Sequence, residues 1–194
     1  KVLHPATVVP AVEKNIPVVI LNSRRPEVDG TRITSESISC SNIVKSIACK
    51  KDITVVNIRS TRMLMAHGFL RRIFEIFDKY KTPVDMVSTS EISVSLTIDN
   101  NRQLESIVAE LREFAGVDIV TGQAIICLVG DNIRSTPGVA HRVFRAMNGI
   151  NIRMISQGAS KLNLSVVIAE SDLLHAVESL HTEFFSTLDP AVFG

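Results

Sequence analysis

Cysteine is scarce in this chain, and what there is does not pair. Three thiols, Cys40, Cys49 and Cys127, make an odd count with no C-x-x-C spacing. That argues against a disulfide framework or a zinc site and predicts buried, reduced thiols in a reducing setting, with the cytoplasm as the expected location. Long apolar runs are also missing. None comes near the roughly 20 residues that span a bilayer, and no charged-then-apolar leader opens the chain, so no membrane partner is expected. Charge of one sign is absent: the net charge is +1, with no basic stripe and no interleaving of basic and aromatic residues, so nucleic acid is not an indicated partner. The nine glycines are dispersed, so no glycine-rich phosphate loop exists. His4, His67, His141, His175 and His181 lack a second ligand at metal spacing, and no Ser-His-Asp or Cys-His set is readable, so no catalytic or metal-binding residue is assigned. The chain starts at Lys1, without methionine and in a pattern already under way, and is expected to be a piece of a longer protein.

What is present is an ordinary globular composition, 45% hydrophobic and 21% charged, enough for a core in one or two domains. The most informative stretch is 84–98. Residues 84–87 form a short apolar run broken by Asp85. Ile92, Val94, Leu96 and Ile98 alternate with Ser93, Ser95 and Thr97, the period of a half-buried strand. Between them Ser88, Thr89, Ser90 and Glu91 form a polar corner that suits either a small polar ligand or a solvated turn.

The rest falls into order around it. A helix opens at Pro5, short strands are expected near 18–21 and 31–34, and 35–42 is a serine-rich linker. Strand character returns at 43–49; 50–52 reads as a turn, and 53–58 as a clearer strand. Apolar residues at helical spacing predict a helix over 69–81. After the strand pair, Asn100 or Asn101 is placed to cap a helix with Leu104, Ile107, Val108, Leu111 and Phe114 inward, and 117–120 is a last strand. The order is βαββαβ, the ferredoxin-like unit. It then begins again about seventy residues on: Gly68 matches Gly138, Phe74 Phe144, Met86-Val87-Ser88 Met154-Ile155-Ser156, and Ser95 Ser165. Ser171 or Asp172 is placed to cap the final helix. The second copy is one strand short, and 43–49 is a strand without an assignment. The fold class expected is therefore α+β, two ferredoxin-like domains with copy one inserted into copy two: a connector at 1–42, domain 1 at 53–122, and domain 2 made of 43–52 plus 123–194.

Several pieces in this order resemble the regulatory, tandem ACT-domain region of aspartate kinase. They are residues 1–7, 16–18 with Pro26 and Gly30-Thr31, His67-Gly68-Phe69-Leu70, Val84-Asp85, 88–96, and in the second copy 151–160 with Asn163-Leu164. The His67-Gly68-Phe69-Leu70 wording with the helix after it is most similar to fungal members, which the resemblance makes threonine-sensitive. It also implies a kinase domain outside this chain, whose phosphate motif is missing here. ATP and magnesium are expected there, no cofactor is expected here, and the chain alone is expected to be inactive.

An amino acid carries a carboxylate that a helix N-terminus attracts and an ammonium that a carboxylate attracts. Gly68, which has no Cβ, leads into the helix at Phe69, and Asp85 interrupts an apolar run. By resemblance, the effector contacts are Met63, Ala66, Gly68, Phe69, Leu70 and Asp85, with Thr89, Ser90 and Glu91 from the corner across a dimer interface. Asp85 could instead be a strand-end residue paired with Arg59 or Lys81. Polar residues in some lysine-sensitive relatives stand where Met65 and Ala66 stand, which favours threonine over lysine here. Copy two carries Arg153 at the place of Asp85 and reads as an architectural partner. The expected partners are a free amino acid and a second copy, through ACT–ACT pairing into a homodimer at least. A ligand-independent dimerisation scaffold is the reading from another class.

Overall fold

The computed structural model describes residues 5–35, 40–60, 67–158 and 160–190. They divide into two units, 1–41 with 189–194, and 42–188. In the first, helix α1 (Pro5–Glu13) is followed by a two-stranded ribbon. In it β1 (Val18–Ile20) lies antiparallel to β2 (Thr31–Ile33), with Val18 opposite Ile33. Val9, Ile16, Val19, Leu21 and Val28 are all exposed, so this unit buries little of its own apolar surface.

The second unit is built on a six-stranded antiparallel sheet. Its strands are β3 (Val44–Arg59), β4 (Val87–Thr89), β5 (Ser93–Ile98), β6 (Gly116–Gly130), β7 (Ile152–Gln157) and β8 (Asn163–Ala169), in the order β4-β5-β3-β6-β8-β7. The helices are α2 (Phe69–Lys79), α3 (Leu104–Arg112), α4 (Val139–Ala146) and α5 (Leu173–Phe185).

The central strands β3 and β6 each serve both copies. The turn expected at 50–52 and the break expected after the strand at 117–120 are not chain reversals. Each is an irregularity inside one long strand, where Asp52 at φ 56° and Gly122 at φ 64° take left-handed backbone and the ladder shifts register. A shift of 70 carries Asp52 onto Gly122. It also carries the ladder onto itself: Ala48 faces Cys127 as Asn57 faces Asp118, and Lys50 faces Ile125 as Val55 faces Val120. Ile53 faces Gln123 at the centre, so a pseudo-twofold axis passes there. The first half of β3 pairs with the second half of β6, which supplies copy two with its fourth strand from a segment that precedes copy one. Each copy thereby has the ferredoxin-like strand arrangement.

Two cores lie on one face of the sheet. Val56, Ile58, Val94, Leu96 and Ile98 meet Ile73, Phe77, Ile107 and Leu111 of α2 and α3. Ile126, Leu128, Leu164 and Val166 meet Val143, Met147, Ala176 and Leu180 of α4 and α5. The alternate residues Val55, Ile125 and Val167 point to the other face and gather with Ile53, Met86 and Met154 into a third cluster. Met86 and Met154 belong to opposite margins of the sheet. Their meeting, and the approach of β4 to β7, show that the sheet curls over this face.

Several local expectations need correction. The strand expected at 84–87 begins only at Val87 and takes in Ser88 and Thr89, because Asp85 is held by a single backbone bond to Thr97 O (3.0 Å) outside the regular ladder. Helix α2 ends at Lys79; Lys81, at φ 49°, turns the chain out of it. Neither Asn100 nor Asn101 caps α3, which starts after Gln103; Asn100 Oδ1 accepts from Arg102 N (3.1 Å) and closes the preceding turn. Asp172 precedes α5 without a side-chain cap bond, since 170–172 form a turn of 3-10 helix. None of the three thiols is in a disulfide, but Cys49 is exposed and Cys40 and Cys127 are half-buried.

Candidate functional site

Strand register decides which candidate residues share a place. Arg59, the last residue of β3, lies opposite Ser93, the first of β5, and Ser60 N donates to Ile92 O (2.9 Å). The corner therefore closes beside the end of β3. Within it, Ser90 N donates to Ser93 O (2.8 Å) and the Ser90 and Ser93 hydroxyls lie 2.6 Å apart, so Ser90 spends much of its polarity on closing the hairpin. Thr89, Ser90 and Glu91 are all exposed.

The N-terminus of α2 comes to the same end. The Phe69 ring meets the edge of Phe114 (5.7 Å), and Phe114 lies two residues before Gly116, which faces Arg59. Gly68 stands at φ 83°, a left-handed conformation that glycine adopts without steric cost as the chain enters α2. Its backbone is exposed, Phe69 is half-buried and Leu70 is exposed. Arg72 lies over the Phe114 ring at 3.9 Å, a cation–π contact. An open pocket of about 590 Å³ sits here, with Arg59, Ser60, Ile92, Arg112 and Phe114 in its wall. Met63 and Ala66 lie outside the described residues.

Asp85 stands at the other end of β4. Its N donates to Thr97 O (3.0 Å), and Thr97 faces Val55, not Arg59. Its carboxylate pairs with neither Arg59 nor Lys81. Arg59 bonds Asp118 (2.8 Å) and Lys81 bonds Asp78 (3.1 Å). Both oxygens of Asp85 accept from Lys50 Nζ, at 2.7 and 2.8 Å, and the same ammonium donates to Asp99 at 2.7 Å. Burial works to lower the Lys50 pKa, but its bonds to the two carboxylates prevail and hold it above the ordinary lysine value. The Lys50 bond holds Asp99 below the usual carboxylate range. One protomer thus brings together Gly68, Phe69, Leu70, Thr89, Ser90 and Glu91 at one end, and leaves Asp85 at the other.

The family model for the ACT domain matches residues 126–184. A solved C-terminal regulatory domain of aspartate kinase from Porphyromonas gingivalis is 40% identical, with a TM-score of 0.67 over 74% of this chain and 99% of that one. This chain belongs to the ACT-domain regulatory region of the aspartokinases. The chloroplastic aspartokinase 3 of Arabidopsis thaliana is 40% identical over 198 residues, 96% of this chain and 35% of that protein. Aspartokinase III of Escherichia coli, solved in complex with lysine and aspartate, superposes with a TM-score of 0.84 at 34% identity over 95% of this chain and 42% of that one. The chain therefore spans between a third and a half of these longer aspartokinases.

Within this aspartokinase regulatory region the two ACT copies agree in framework and differ in charge. Gly138 repeats Gly68 at φ 83°. Arg142 lies over the Phe184 ring at 4.5 Å, as Arg72 lies over Phe114. Ile155 faces Val166 as Val87 faces Leu96, so Arg153 stands where Asp85 stands. By the same register Val120 replaces Lys50 and Ala169 replaces Asp99. The charged triad exists in copy one alone. Sequence reading found Asp85 and its reversal to Arg153 but missed Lys50 and Asp99; aligning the copies through the ladder would have exposed both. The Arg72–Phe114 pair was missed too, and its repeat at the same spacing was the available signal. Among the described residues no helix is long and apolar enough to cross a membrane.

Proposed function

We propose that this chain is the effector-binding part of an aspartate kinase, and that a free amino acid bound at copy one lowers the activity of the kinase domain by feedback inhibition. The whole protein would then transfer phosphate from ATP to the side-chain carboxylate of L-aspartate, with magnesium, in the cytoplasm. The observation that carries the reading is the asymmetry between the copies: the same framework holds Lys50, Asp85 and Asp99 in one and Val120, Arg153 and Ala169 in the other. A carboxylate placed in one of two otherwise repeated sites marks the copy that can take an ammonium.

The separation of Asp85 from α2's N-terminus has a resolution in a second copy. β4 ends the hydrogen-bonded order, and its unpaired side comes near β7 of the same chain, so a partner strand added there takes the place of that approach. An antiparallel partner added along it, with the twofold at Ser88, sets Asp85 of one protomer beside Glu91 of the other. The ligand's ammonium and carboxylate would then be held by different protomers, and Met63, Ala66, Gly68, Phe69, Leu70, Thr89, Ser90 and Glu91 would line the remaining wall. We assign threonine as the effector because its short side chain needs no second counter-charge; lysine, which the E. coli relative was solved with, needs one for its ε-ammonium.

The ligand must favour one state of the enzyme, with a coupling of about 1–3 kcal/mol. Calorimetry of the chain with threonine, lysine and methionine tests this. Heat with threonine alone is expected. Heat with lysine alone would replace the effector, and no heat with any of them, in a folded dimer, would leave a ligand-independent scaffold.

A further inference from the structure

We propose that Lys50 is a built-in competitor for the effector: its ammonium holds the carboxylate that the ligand's α-ammonium needs, and uptake of the ligand passes Lys50 over to Asp99. The inference rests on Asp85 being the ammonium partner and adds a residue that sets the affinity. The chemistry is like for like. A lysine head and an amino-acid α-ammonium are both compact –NH₃⁺ groups with three donors. Lys50 Nζ has three acceptors in reach, the two oxygens of Asp85 at 2.7 and 2.8 Å and one of Asp99 at 2.7 Å. A second ammonium cannot approach Asp85 without meeting that positive charge. Displacement is nevertheless within reach. The Lys50 side chain is 42% exposed on a flexible stem, and Asp99 stays as its counter-ion when Asp85 is given up.

The exchange also has a consequence for the fold. Residue 50 lies in the half of β3 that pairs with Ile125 of copy two, while Asp85 leads into β4 of copy one. Binding at Asp85 therefore loosens a tie between the copies, a local charge event read at their junction.

Calorimetry on the 194-residue chain tests the exchange, with melting curves to show that each variant folds. Lys50→Gln is expected to tighten the dissociation constant about fivefold, the ratio of occupied to unoccupied Asp85 at the upper end of what a partly exposed pair sustains. Lys51→Gln removes the neighbouring charge without touching Asp85 and is expected to leave the constant unchanged. Asp99→Asn confines Lys50 to Asp85 and is expected to weaken binding by a similar factor. Lys50→Gln combined with Asp99→Asn is expected to bind as tightly as Lys50→Gln alone. A double variant midway between its parents would show a field effect and overturn the competition. So would an unchanged or weaker constant for Lys50→Gln. Lys50→Arg keeps the charge and is expected to bind no tighter than the natural chain; tighter binding overturns the proposal. If the natural chain shows no heat while Lys50→Gln binds, the competitor is supported in its strongest form. If neither binds any of the twenty amino acids, the effector reading falls and the competitor with it.

Discussion

Replacing Asp85 by Asn separates a structural from a functional carboxylate, because the two roles predict different magnitudes. The amide keeps the size and loses the charge. Its structural role is the pair with Lys50, whose side chains are 42% and 28% exposed. A pair so open to solvent contributes about 0.2–1 kcal/mol, and Asp99 still holds Lys50 after the change. For a chain of this size that corresponds to a fall in melting temperature of no more than about 2–4 °C. Its functional role is a charge-assisted hydrogen bond to the ligand's ammonium, worth about 1.5–3 kcal/mol, or between about tenfold and somewhat over a hundredfold in affinity. Thermal melting and calorimetry on the same preparation measure both. The expected result is a small loss of stability with a large loss of threonine affinity. A loss of many degrees with affinity unchanged would mean that Asp85 is a tie between the copies and nothing more, and would refute the assignment.

Gly122→Val is expected to destabilise by at least about 1–2 kcal/mol in urea unfolding, while Gly122→Asp is expected to cost clearly less. No atom lies within 4 Å of a Cβ built at Gly122, so the cost is backbone strain alone, and Asp52 already holds the symmetry-related place at φ 56°. Equal costs for Val and Asp would show that the shared conformation is not what matters there. Glu183 accepts from Arg142 (2.7 Å) and Arg145 (2.8 Å), and these bonds, Arg142's first, hold its pKa below the ordinary glutamate value. A depressed carboxylate contributes stability that is present above the unfolded pKa of about 4.3 and is lost as pH falls through the folded value. Glu183→Gln is therefore expected to lower stability at neutral pH and to flatten the acid limb below about pH 5, which melting curves across pH would show. A parallel downward shift at every pH would refute that linkage.

The sequence carried the repeat, the helices and the insertion because each rests on a local pattern. Val94, Leu96 and Ile98 alternate, Ile73, Ile76 and Phe77 fall at helical spacing, and the count of strands left one place to be filled by 43–49. It did not carry the continuity of β3 and β6. Lys50-Lys51-Asp52 has the composition of a turn, and only the partner strand, bulged at Gly122 in the same place, keeps Asp52 inside the ladder. Nor did it carry the partner of Asp85. Lys50 lies 35 residues earlier, in the half of β3 that belongs to the other copy, and nothing local connects them. The sequence, through the resemblance, set the corner residues Thr89, Ser90 and Glu91 on a second protomer, and no local pattern in it gives the distance from Asp85. The antiparallel path of β4 and β5 puts Asp85 and Glu91 at opposite ends of one short strand.

That separation and the inserted topology bear on the same question, which is how a small ligand could be felt beyond its site. In two independent ACT domains the strain of binding would stay within one sheet. Here β3 begins in copy two, crosses the pseudo-twofold axis at Ile53 and ends in copy one, and β6 makes the reverse journey. Each of these strands is one continuous backbone shared by both copies. Lys50 sits three residues from the axis, on the copy-two side, and its counter-ions are on the copy-one side. The charged set at Asp85, which copy two lacks, therefore also bridges the copies. A ligand that takes Asp85 from Lys50 changes a contact beside the point where both strands depart from regular geometry.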